Sequence, residues 1–244
     1  MIASRDVFRD LVIANRVLAN EHVVDAYGHV SLRNPSAPDR FFLSHSLAPA
    51  FVDFDDILEF SLDGRIAGSD DRSPYLERFI HAAIYEARPD VNAVVHAHAE
   101  DTLPFGITQT QLVPVIHSGS FIGPSVPVWD IATNFGDSTN LLVTSVEQGR
   151  DLARTLGGNN VVLMRGHGFS AAAATIIEVV RMAIYLPRNA RAQLNAMRLG
   201  DFKPLSPGEI AARSGGSGYR PDSPETQRAW YYWAHNAGCA DLLS

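Results

Sequence analysis

The stretch LERFIHAAIYEARPDVNAVVHAHAED, Leu76–Asp101, decides how the chain is read. Its first half places Leu76, Phe79, Ile80, Ala83, Ile84 and Ala87 three or four residues apart, which is the spacing of one helical face. Ser73 is placed to cap this helix, Pro74 suits its first turn, and Pro89 stops it. The second half predicts a strand over Val91–Ala97 that climbs through Ala93, Val94 and Val95 and runs out into His96 and His98. Side chains alternate along a strand, so these two histidines face the same way, with Cα atoms roughly 6.5 Å apart. One histidine at such a place is ordinarily a packed side chain. Two on one face can converge on a single cation.

Further along, VVLMRGHGFS is a second apolar run that ends in a histidine. His167 stands between Gly166 and Gly168, which let the backbone turn sharply and present the ring. Ligands gather at strand ends in open sheets. Three imidazoles, His96, His98 and His167, make the donor set of a catalytic metal site with an open position. Glu77 and His81 lie four residues apart, on one helical face. A capping box from Ser73 would use position 76, which is Leu76, so capping does not account for Glu77. A half-buried carboxylate beside a metal serves as ligand or proton carrier. His81 reads as a helix histidine packed against the sheet.

The rest of the chain mixes helices and strands throughout. Apolar spacing predicts a helix over residues 4–20. YGHVSLRNP and DRFFLSHS read as strands, and DDILEFSLDGRIAG as a hairpin turning at Asp63-Gly64. HSGSFIGPSVPV reads as strand and turns, residues 146–156 as a helix, NNVVLM as a strand, and AAAATIIEVVRMAIYLPRNARAQLNAM as a long helix that Pro187 kinks or interrupts. A Gly/Ser-rich linker, ARSGGSGYRPDS, then leads to an aromatic helix, TQRAWYYWAHNA. This is the pattern of one α/β domain over residues 1–205 with a C-terminal extension over 206–244. At 46% apolar and 19% charged, 244 residues build an ordinary core. The lone cysteine, Cys239, excludes an internal disulfide and suits a cytoplasmic protein. A net charge of −7 argues against nucleic acid or an anionic membrane as partner. No signal peptide and no apolar run long enough for a membrane span is expected.

Taken with RGHG, the Leu76–Asp101 stretch resembles the class II aldolase/adducin family, over about residues 8–200. The resemblance implies a single three-layer α/β/α domain with a largely antiparallel central sheet, assembled as a homotetramer with sites at subunit interfaces. It implies a divalent metal ion on His96, His98 and His167, with Glu77 as acid/base. Zinc, manganese, iron and cobalt all suit that set. The family's sugar-phosphate aldolases hold phosphate with a Gly-Asn-Val-Ser segment, a Thr-Gly loop and a Ser-Ser pair. Here these read GHVS (Gly28–Ser31), LSHS (Leu43–Ser46) and SPYLE, where Pro74 has no backbone donor. His29 and His45 appear instead. YGHVS, DRFFLSHSLAP, DDILEF and PVIHSGSFIG are together similar to the family's branch of hydroxy-aromatic and pyridine carboxylate decarboxylases. That likeness implies decarboxylation of a small carboxylic acid, with an aldolase or epimerase as the alternative. Glu77 or His29 then delivers a proton; an imidazole titrating near ~6.5 suits that task. Ser44, His45 and Ser46 would hold a second substrate carboxylate, and His117 would line the pocket. Tyr219 and Arg220 are not assigned to the site. A non-catalytic scaffold is a third reading, and it has no use for three converging imidazoles.

Overall fold

In the computed structural model, which describes residues 5–214, 220 and 222–243, seven strands pair into one sheet. They are β1 (His29–Arg33), β2 (Arg40–Ser44), β3 (Ile57–Ser61), β4 (Ala93–Ala97), β5 (Val128–Trp129), β6 (Val161–Met164) and β7 (Gly168–Ala173). Their spatial order is β3-β2-β1-β4-β7-β6-β5. Every neighbouring pair is antiparallel except β5 with β6. The helices are α1 (Arg5–Asn20), α2 (Arg78–Ala87), α3 (Leu103–Ile107), α4 (Ala132–Phe135), α5 (Val146–Leu156), α6 (Ile176–Leu199), α7 (Pro207–Ser214) and α8 (Pro224–Asn236).

The alternation of β4 builds the layers. Ala93, Val95 and Ala97 point into a core shared with Leu11, Val180, Leu186 and Trp233, from α1, α6 and α8. Val94 points the other way, into a core with Ile80 and Ile84 of α2 and Leu152 and Leu156 of α5. His96 shares the side of Val94, and so faces the layer that carries α2. The fold is therefore α/β, with helices on both faces of a mostly antiparallel sheet, as the resemblance implied.

Several element boundaries depart from the sequence reading. Helix α2 begins at Arg78, not after Ser73. The segment before it is tied to the end of β2: His45 bridges to Pro74, and the Ser46 N–H donates to the Ser73 carbonyl at 2.8 Å. Leu76, assigned to the apolar stripe, is consequently 61% exposed. The alanines at 171–173 do not open the long helix but complete β7, paired with Val95, Val94 and Ala93. Their strand partners override the helix preference of alanine. Helix α6 starts at Ile176, capped by the Thr175 hydroxyl, and runs through Pro187 unbroken. The hairpin after β3 turns at Gly64, but its return arm shrinks to one bridge, Phe60 with Ile66. His117–Ile122 is a 3-10 turn, leaving only β5 as strand in that region. Residues 215–219 of the Gly/Ser-rich linker, Tyr219 included, lie outside the described residues. Among the described residues no helix is long and apolar enough to cross a membrane.

Candidate metal centre

Four side chains meet where β4 ends. The Nε2 atoms of His96 and His98 are 3.0 Å apart, as are those of His98 and His167. Glu77 Oε2 lies 3.4 Å from Nε2 of both His96 and His167. One donor atom from each of the four falls within 4.8 Å of all the others. His98 follows the last residue of β4, and His167 sits in the turn between β6 and β7. Two glycines make that turn possible. Gly166 adopts φ +67°, and Gly168 lies so close to β4 that a Cβ would stand 2.2 Å from the Ala97 carbonyl oxygen.

The arrangement fits a cation better than it fits a hydrogen-bonded cluster. The His96 Nδ1–H donates to the Phe169 carbonyl at 3.0 Å, which leaves its Nε2 as a lone pair aimed at the cluster. Burial, with His96 and His167 nearby, pushes His98 down to about 4, so its ring is neutral at pH 7. Metal binding requires neutral imidazoles of this kind. Glu77 occupies the N-cap position of α2 but makes no capping bond. Its Oε1 accepts from the Val143 N–H at 3.0 Å, leaving Oε2 for the cluster. Burial favours the protonated acid here, but the polar surroundings made by His96 and His167 outweigh it. The carboxyl is held well below the usual carboxylate range and is ionised. Three ring nitrogens and one carboxylate oxygen are the donor types that bind zinc and its neighbours.

A second polar group adjoins the first. His29 pairs with His96 across β1 and β4, their ring centroids 5.1 Å apart, and the Tyr75 ring lies 4.6 Å from His29. His29 Nδ1 is 2.6 Å from His81 Nε2, and His81 Nδ1 is 2.6 Å from the Ser31 hydroxyl. Ser31 continues at 2.8 Å to the Tyr85 hydroxyl. Burial, then the neighbouring His81 and His96, lowers His29 well below 6.5. Ser31, Tyr75 and Tyr85 were not singled out from sequence. The signal was available for two of them: Ser31 is two along the strand from His29, and Tyr85 is four along the helix from His81.

The other expected site residues are less central. The Ser44 hydroxyl is buried and lies 3.4 Å from the Tyr75 hydroxyl. His45 Nε2 is 3.2 Å from Asp56 and is not in the cluster. Ser46 is exposed. His117 lines a separate concavity of about 820 Å³ with Arg181, Tyr185 and Trp233, which shares no residue with the four-residue cluster. A smaller concavity of about 590 Å³ does reach His98, between Asp25 and Arg191.

Residues 9–194 match the family described as Class II Aldolase and Adducin N-terminal domain. The chain belongs to that family. Among its relatives, the decarboxylase tropJ of Talaromyces stipitatus is 39% identical over 203 residues, covering 78% of this chain and 76% of tropJ. A 3,4-dihydroxyphthalate decarboxylase of Arthrobacter keyseri is 29% identical over 238 residues, covering 90% and 89%. The similarity thus runs to the decarboxylase branch of the class II aldolase family. Solved structures share the fold: an aldolase II superfamily protein from Pseudomonas syringae superposes with TM-score 0.80 at 19% identity, covering 99% of this chain and 96% of the other. An L-fuculose 1-phosphate aldolase from Glaciozyma antarctica does so with TM-score 0.74 at 23% identity, covering 99% and 91%.

Proposed function

We propose that the protein is a metal-dependent decarboxylase of a hydroxylated aromatic or heteroaromatic carboxylic acid. The observation that carries this reading is the convergence of His96, His98, His167 and Glu77 on one point, in a chain similar over most of its length to decarboxylases. His96, His98 and His167 would hold a divalent ion, with Glu77 beside them. Bound there, it would supply Lewis-acid stabilisation of negative charge on a substrate oxygen.

This chain's own residues do the rest. Decarboxylation breaks the bond from the ring to its carboxylate, releases CO2, and leaves an electron pair that must take up one proton at the ring carbon. Glu77 and His29 are the groups beside the cluster able to hold that proton. His29 and Tyr75 form the polar wall next to it. Ser44, His45 and Ser46, at the end of β2 beside Tyr75, are assigned to a second carboxylate of the substrate. His117, on its separate concavity, is left out. Tyr27, Phe51 and Leu76 are 69%, 72% and 61% exposed, and such large exposed apolar side chains suit a homo-oligomer in which further copies of the chain would cover them, a tetramer by family likeness.

An aldolase or epimerase is the second reading. Pro74, without an N–H, stands where the sugar-phosphate enzymes place a serine, which counts against a phosphate substrate. The test is to measure bound metal and then offer hydroxylated aromatic and pyridine mono- and dicarboxylic acids alongside ketose phosphates. CO2 release that stops on chelation and returns with added metal is the expected result. Ketose-phosphate cleavage without CO2 would replace the proposal with the second reading.

A further inference from the structure

A buried file of polar groups runs away from the candidate site, and its distances have a direction. His29, His81, Ser31 and Tyr85 are each less than 5% exposed. Each neighbouring pair shares one short contact, at 2.6, 2.6 and 2.8 Å, and each contact holds a single proton. Two orders of donors satisfy all three while also placing the Ser31 O–H in a contact; an order in which Ser31 accepts from both neighbours leaves its buried O–H without a partner among the described residues. In one, Tyr85 O–H donates to Ser31, Ser31 O–H to His81 Nδ1, and His81 Nε2–H to His29 Nδ1. His29 then carries its own proton on Nε2. In the other, every donor is reversed and His29 Nε2 is a bare lone pair.

Tyr85 decides between them. In the reversed order its proton must go to the Asn92 carbonyl at 3.4 Å, outside the normal range for a hydroxyl donor. That carbonyl already accepts from the Arg33 N–H at 2.7 Å. In the first order the same proton lies in the 2.8 Å contact to Ser31. We propose that the His81–Ser31–Tyr85 file holds neutral His29 with its proton on Nε2, so that His29 meets the substrate as a hydrogen-bond donor. The ring lies between Tyr75 and His96, and among the described residues no other bond engages its Nε2.

This rests on the decarboxylase reading only for its consequence in turnover. A buried neutral donor next to the cluster suits a carboxylate or phenolate oxygen. It also limits what His29 can do. Were the file to pass a proton outward through His29, Tyr85 would be left as a buried tyrosinate, and burial pushes that phenol the opposite way. His81, Ser31 and Tyr85 are therefore positioning residues. The net proton for the ring carbon enters from the side of Glu77 or solvent, not along the file.

The test is nitrogen NMR of the full-length protein labelled with 15N-histidine, metal-free and with zinc, without substrate. His29 is identified by the signals that His29→Gln removes. The expected spectrum has a proton-bearing Nε2 and a bare Nδ1. A proton on Nδ1 in the unsubstituted protein overturns the proposal, and no variant is needed for that result. Tyr85→Phe and Ser31→Ala each remove the donor that sets the order. Both are expected to give a mixture of His29 tautomers and to lower kcat roughly tenfold, the size of one neutral hydrogen bond, with KM and metal content near the starting values. Unchanged tautomer and kcat in a folded variant would also overturn it. If Nε2 bears the proton but no acid loses CO2, the decarboxylase reading fails and the proton order stands.

Discussion

His98 and His167 stand 69 residues apart in the chain, yet their Nε2 atoms are 3.0 Å apart. Among the described residues, no backbone carbonyl holds either ring as the Phe169 carbonyl holds His96. Their meeting depends on the turn between β6 and β7 being pressed against the end of β4. The first expected outcome follows from this geometry. His167→Ala takes away one of three imidazoles and leaves the other two in place. Bound zinc or manganese, measured on the purified protein, should fall from roughly one ion per chain, with affinity weakened more than about 100-fold. Full metal content in that variant would remove His167 from the ligand set.

Glu77→Gln separates holding a metal from moving a proton. The amide keeps an oxygen for the Val143 N–H, so the start of α2 should remain in place. The charge and the exchangeable proton of the carboxyl are gone. Metal content is expected to stay near the starting value, while the rate of CO2 release falls by roughly 10²–10⁴. Full activity would exclude Glu77 from the chemistry.

Much of this centre was legible in the sequence, for reasons that can be traced. His96 and His98 obey the strand period, and Gly166 and Gly168 mark the turn that carries His167, so the three imidazoles could be read from local pattern alone. What failed was set by contacts distant in sequence. Ser73 and Pro74 have good chemistry for opening a helix, but the end of β2 captures them first. Three alanines read as helix until β4 claims them as strand partners. His81 looked like a packed helix histidine because nothing local reveals that Ser31, on a strand 50 residues away, lies 2.6 Å from it.

The buried histidines predict how the metal-free protein responds to acid. Burial, with His96 nearby, pushes His81 down to about 3; burial and its neighbours take His98 to about 4 and lower His29 as well. In the unfolded chain these rings titrate near 6.5, so below that pH the unfolded state binds more protons. Their contribution to stability is fully present above 6.5 and is lost as pH falls toward 4 and then 3. Each ring contributes a slope of at most about 1.4 kcal/mol per pH unit. Urea unfolding between about pH 7.5 and about pH 5 should show the decline, with a shallower slope in His81→Gln. A flat profile in the unsubstituted protein would contradict the neutral, buried state of these rings.

Gly168→Ala tests whether the close approach of β7 to β4 is what assembles the cluster. The added Cβ would stand 2.2 Å from the Ala97 oxygen, 3.1 Å from its carbonyl carbon and 3.1 Å from the His98 Cα. All three are backbone atoms, which cannot swing aside as a flexible side chain would. Relief requires the strands to part at the point where His98 and His167 meet. The expected cost is about 1–3 kcal/mol of stability, the range of an overpacked core. Metal affinity should fall as well, although no ligand is altered. Gly158→Ala supplies the comparison, since a Cβ there meets nothing within 4 Å. Thermal midpoint and metal content measured on both should single out Gly168→Ala. If its metal affinity matched that of Gly158→Ala, the cluster would not depend on this contact.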